Sequence, residues 1–184
     1  MTRKRVVKRL VLVFMLGALL FVSLLLKSLE SRSDLLHIGS AAPDFSALTG
    51  DGEVVRLSEV NGRKRVVLVF YPGDGTPVCT TQLCSFRDQW TALEAENAVV
   101  YGVNPADRSS HSSFAKANHF PFPLIVDSDG SIARKYGCRA ILGIVKRTVY
   151  VIDRRGRVAW VKRGNPPPSE ILQAMHDFKD GPDP

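Results

Sequence analysis

Two kinds of apolar pattern divide the chain. The first is one unbroken run, "LVLVFMLGALLFVSLLL" at residues 10–26, with no charge and no proline. The second begins near Asp44, where short apolar runs alternate with helical spacing. "DFSALTGDGEVVRLSEV" holds Asp51-Gly52 between two alternating runs and predicts a hairpin. "KRVVLVFY" is nearly all apolar and β-branched, as a central strand buried on both faces should be. A helix is expected from about Pro77 to Ala95, then a second buried strand in "NAVVYGVN". "SSHSSFAKANHF" predicts a helix stopped by Pro121, "FPLIVD" a short strand, and "GSIARKYG" a short helix closed by Gly137. "RTVYVID" and "RVAWVKR" form a hairpin around "RRG", and "PPPSEILQAMHDF" a last helix with Ser169 as its cap. This order implies a three-layer α/β domain with a mixed central sheet.

The first run changes the picture of the whole chain. It follows the basic cluster Arg3, Lys4, Arg5, Lys8 and Arg9. A basic flank before such a run is expected of a signal anchor or a signal-peptide core. No small-x-small cleavage pattern stands in "KSLESRS", so an uncleaved anchor is the expectation. The organisation expected is a basic cytoplasmic N-terminus at 1–9, the apolar segment at 10–26, a linker at 27–37 and one domain at 38–180. Positive charge would keep the N-terminus inside, placing the domain outside the cytoplasm, at an inner membrane or in a periplasm.

Charge confirms that division. The 184 residues carry a net charge of +7, yet residues 1–32 alone hold +6. The domain is left nearly neutral, which excludes a nucleic-acid reading based on charge.

The candidate chemistry lies in "YPGDGTPVCTTQLC", residues 71–84, directly after the central strand. It contains two of the chain's three cysteines. Thr76 is placed to cap the following helix and Pro77 to occupy its first position. Cys79 then falls in the first turn, at the carboxyl end of the sheet, where α/β folds build sites. The positive end of the helix dipole favours a thiolate there. Cys84 lies five residues further along the same helix, about 8–9 Å away by helix geometry and beyond disulfide reach unless the first turns unwind.

The stretch "PGDGTPVC" resembles the P-x-x-x-T-x-x-C motif of the peroxiredoxins. The cysteine five residues on is similar to the bacterioferritin-comigratory-protein, or PrxQ, subfamily, and the likeness extends through "FRD", "YGVNPAD", "FPLIVDSDG" and "KRTVYVID". The resemblance implies a thioredoxin-like α/β/α domain and a thiol-dependent peroxidase acting on hydrogen peroxide and organic hydroperoxides. It implies Cys79 as the peroxidatic cysteine, oxidised to a sulfenic acid, and Cys84 as the resolving cysteine of an intramolecular disulfide. Thr76 would hydrogen-bond the peroxide, Pro72 would shield the sulfur, and Arg147 would stabilise the thiolate and orient the substrate. It implies a thioredoxin-like dithiol reductant, no cofactor and no metal, and a monomer, since resolution needs no second subunit.

Other readings compete. A membrane-tethered thiol–disulfide oxidoreductase of the cytochrome-maturation type would carry the same fold and anchor, but would use C-x-x-C. A copper-binding assembly factor would want C-x-x-x-C and a partner histidine. Cys138 reads as a packed thiol after a helix end, with a minor alternative as a partner for Cys79. His37, His111, His119 and His176 read as structural or exposed, and "DSDG" at 127–130 as a turn capping the next helix rather than a calcium loop.

Overall fold

A computed structural model describes residues 15–22, 35–140 and 142–178. The chain divides into two units, 1–34 and 35–184. In the first, residues 15–22 are helical and exposed. The remainder of the apolar segment expected at 10–26 lies outside the described residues. Among the described residues no helix is long and apolar enough to cross a membrane.

In the second unit the β-branched runs form the sheet. β3 (Arg65–Phe70), β4 (Ala98–Asn104), β5 (Leu124–Val126), β6 (Thr148–Ile152) and β7 (Val158–Arg163) take the order β5-β4-β3-β6-β7. β3 pairs in parallel with β4, and β4 with β5. β6 runs antiparallel to both β3 and β7, so the sheet is mixed. The hairpin around Asp51-Gly52 forms as a separate pair, β1 (Ser46–Leu48) with β2 (Val54–Arg56), and its tail folds into the short helix α1 (Leu57–Val60).

Alternation along β3 sorts the core into two layers. Val67, Val69 and Tyr71 face one cluster with Cys79, Leu83, Phe86, Phe114, Ile171 and Met175. Those residues bring in α2 (Pro77–Asp88), α4 (Arg108–Asn118) and α6 (Pro168–Asp177). Val66, Leu68 and Phe70 face the other cluster with Leu57, Ile132, Tyr136 and Cys138, beneath α1 and α5 (Ser131–Lys135). The three layers expected from the pattern are therefore present.

Three local expectations change. The helix foreseen from Pro77 to Ala95 is two, α2 and α3 (Trp90–Ala95), because Gln89 leaves helical geometry at φ −106° and ψ 14°. Beyond that break, Trp90 packs on Phe122 with ring centroids 6.0 Å apart. α4 stops at Asn118, where His119 turns left-handed at φ 55°, before Pro121 is reached. Ser169 does not cap the last helix. Pro167 holds the cap position and Pro168 opens the helix, its ring already fixed near a helical φ. Asp127 does cap α5, accepting from the Ile132 and Ala133 amides at 2.9 and 2.8 Å.

One glycine shows how tightly side chains from neighbouring strands pack on the Cys79 face of the sheet. A Cβ on Gly102 of β4 would lie 2.6 Å from Leu124 Cδ2 and 3.1 Å from Tyr71 Cε1. Gly102→Ala should therefore destabilise the domain by about 1–3 kcal/mol. Denaturant unfolding checks this; a variant as stable as the parent would contradict the packing described.

Candidate active site

The site forms where β3 ends. Register pairs Phe70 with Thr148, so the start of antiparallel β6 lies beside the carboxyl end of β3. The chain leaves β3 through Tyr71 and the loop 72–76, then turns into α2. This brings Arg147, one residue before β6, against the first turn of α2. Its Nη2 donates to Cys79 Sγ at 3.1 Å. Its Nη1 donates to the Gln82 side-chain oxygen. Alternation places Arg147 with Val149 and Val151 on the Cys79 face, leaving Lys146 on the other.

Cys79 is fully buried in the third position of α2, with Pro77 at the first. Thr76 stands at the cap position with extended backbone, φ −74° and ψ 141°, but its side chain makes no capping hydrogen bond. The expected hydroxyl cap is therefore absent. Pro77 offers no N–H, and the Thr76 carbonyl takes the Thr80 amide at 2.9 Å. Thr76 and Pro72 are both exposed on the loop.

Cys84 is half-buried on the same helix, and its Sγ lies 3.8 Å from Asn118 Oδ1 of α4. All three thiols are free. Helix geometry keeps Cys84 out of bonding range of Cys79, at about 8–9 Å between Cα atoms. Cys138 belongs to the cluster on the opposite face of the sheet from Cys79, so it is no partner for Cys79 in this fold. Burial pushes its thiol up to about 11.

Two features were not foreseen. Gln82, one turn after Cys79, is 1% exposed and grips Arg147. Arg147 can only donate, so the Gln82 oxygen must face it. The Gln82 amide nitrogen is buried with no partner among the described residues. A polar residue on the buried face of a helix was the available signal.

The second feature is a polar network beneath the loop. Asp74, flanked by Gly73 and Gly75, bonds Tyr71, Asn104, Ser110 and His111. Burial pushes the Asp74 carboxyl up, but hydrogen bonds from His111, Ser110 and Tyr71 outweigh this and hold it below its ordinary 3.8. The Tyr71 hydroxyl is pushed well up, by burial first and then by the Asp74 charge. Among the described residues no group of His, Cys, Asp and Glu is arranged to hold a metal.

A profile of the AhpC/TSA family matches residues 38–161. The chain is 33% identical over 153 residues to peroxiredoxin Bcp of Bacillus subtilis (strain 168), covering 79% of this chain and 96% of that one. It is 38% identical over 142 residues to a chloroplastic peroxiredoxin Q of Gentiana triflora, covering 76% of this chain and 65% of that one. Among solved structures it is similar to the peroxidoxin BcpB from Mycobacterium tuberculosis, with a TM-score of 0.73, 29% identity, and coverage of 79% and 99%.

A carboxyl group depressed by folding contributes stability that is present above its unfolded value and lost as pH falls through its folded one. Unfolding free energy should therefore drop faster in the parent than in Asp74→Asn below about pH 4. Denaturant melts across that range check it, and parallel curves would show that Asp74 is not held as described.

Proposed function

The chain belongs to the AhpC/TSA family, in its Bcp/PrxQ branch of thiol-dependent peroxidases, and from that membership we propose how its residues divide the work. Cys79 is the peroxidatic nucleophile. Its thiolate attacks one peroxide oxygen, the O–O bond breaks, and water or an alcohol leaves once the departing oxygen is protonated. Cys79 is left as a sulfenic acid. Attack needs a thiolate, and donors aimed where negative charge develops on oxygen. The observation that carries this reading is the Arg147 guanidinium at 3.1 Å from the Cys79 sulfur. Arg147 supports the thiolate and orients the peroxide, and the Thr76 hydroxyl, not spent on a cap, donates to it. Pro72 shields the sulfur from the loop side.

Cys84 resolves the sulfenic acid as an intramolecular disulfide, which requires the first turns of α2 to unwind. A thioredoxin-like dithiol then reduces the disulfide by thiol exchange. Resolution within one helix needs no second subunit, which supports a monomer. The cytochrome-maturation oxidoreductase is not favoured, because its C-x-x-C spacing is not that of Cys79 and Cys84 and the relatives are peroxiredoxins.

The basic cluster and the apolar run at 10–26 support a membrane-tethered or exported form, with the peroxidase domain outside the cytoplasm. The reductant would then be an extracytoplasmic or membrane-relayed dithiol. Recovery of the full-length protein in the soluble cytoplasmic fraction would remove this part of the reading.

Cys79→Ser should abolish peroxide consumption. Arg147→Ala should slow the reaction of the reduced protein with hydrogen peroxide by about 10²–10³-fold, the cost of losing a preorganised charged donor. Stopped-flow mixing checks both; an active Cys79→Ser protein would exclude the assignment.

A further inference from the structure

The steps above leave Asp74 unused, although it ties the loop before α2 to the sheet and to α4. Its side chain is 8% exposed and that of His111 fully buried. Oδ1 accepts from the Tyr71 hydroxyl at 2.8 Å and from Asn104 Nδ2 at 2.7 Å. Oδ2 accepts from Ser110 Oγ at 2.7 Å and lies 2.8 Å from His111 Nδ1. An ionised carboxylate offers about four lone-pair sites, and four donors fill them here. Those donors come from the residue that follows β3, the end of β4 and the first turn of α4. His111 is fixed in turn, with Nε2 3.1 Å from the Ile125 carbonyl of β5. A Cβ at either flanking glycine, Gly73 or Gly75, would meet nothing within 4 Å, so those two positions lend the loop no packing and the carboxylate between them ties it down.

We propose that Asp74 is a positioning residue of the peroxidase cycle, clamping the loop at the amino end of α2 and setting how readily that end unwinds for Cys84 to reach Cys79. This rests on the assignment of those two cysteines given above. Peroxide attack uses the folded helix, with Cys79 against Arg147, while resolution uses the unwound one. The clamp therefore weighs on two competing fates of the sulfenic acid. In the first, Cys84 sulfur attacks Cys79 sulfur. An S–S bond forms, the S–O bond breaks, and hydroxide leaves as water with the proton of Cys84. In the second, the sulfenate attacks another peroxide. Its sulfur gains one oxygen, the O–O bond breaks, water or an alcohol leaves, and Cys79 ends as a sulfinic acid. Holding α2 folded slows the first fate and leaves the second open.

The test compares the full chain with its Asp74→Asn and Ser110→Ala variants. Asn keeps one acceptor oxygen and turns an N–H2 toward the donors; Ala removes one donor of the four. Single-turnover disulfide formation and the sulfinic fraction across a hydrogen peroxide series are read by mass spectrometry. Asp74→Asn should form the disulfide roughly tenfold faster and need roughly tenfold more peroxide for equal sulfinic acid, as expected for losing hydrogen bonds to a charged group. Ser110→Ala should shift both in the same direction by a smaller factor, and it carries the test if Asp74→Asn does not fold. Variants with the parent's partition overturn the proposal, as does a parallel fall of peroxide reactivity and disulfide formation. A parent that loses no thiols to peroxide overturns the underlying cysteine assignment instead, a distinct result.

Discussion

Cys79 and Cys84 share one helix, and the geometry of that helix holds them apart. The rest of the site follows from this constraint. A thiol that must meet peroxide in a fixed setting needs the first turn of α2 formed, with Arg147 brought to it by the β3–β6 register. A thiol that must then meet Cys84 needs the same turn undone. If Cys84 resolves Cys79 as proposed, one short segment carries both the reactive geometry and the motion that ends it. On that proposal the loop before it is the natural place for control, because it joins the end of β3 to the helix end that would have to open.

The mixed sheet makes this arrangement possible. Parallel pairing of β3 and β4 directs both strand ends toward α2 and the loop. Antiparallel β6 begins where β3 ends, which is why an arginine nearly 70 residues from Cys79 along the chain reaches its sulfur. Alternation then decides which thiols share a space: Cys79 and Cys84 lie on one helix, and Cys138 lies beneath the other face of the sheet.

Much of this was legible in the sequence because it is written in local pattern. The β-branched runs marked β3, β4 and β6, and Thr76-Pro77 marked the start of α2. Strand alternation separated Arg147 from Lys146. What was not legible depends on tertiary assembly. Three of the partners of Asp74 lie in two elements, β4 and α4, whose closeness to the loop follows only from the strand order, and nothing near Asp74 announces a buried carboxylate. Gln82 is a polar residue whose burial makes sense only once Arg147 stands beside it. The end of α2 at Asp88 and the start of α6 at Pro168 escaped for a different reason: propensity allowed a longer helix in one case and a serine cap in the other, and local backbone geometry overrode both.

The most direct measurement treats the fully reduced protein with one equivalent of hydrogen peroxide, counts the remaining thiols and maps the product by peptide mass spectrometry. The account predicts rapid loss of two thiols and a single Cys79–Cys84 disulfide. A Cys79–Cys138 bond, or no fast reaction with peroxide, would contradict it.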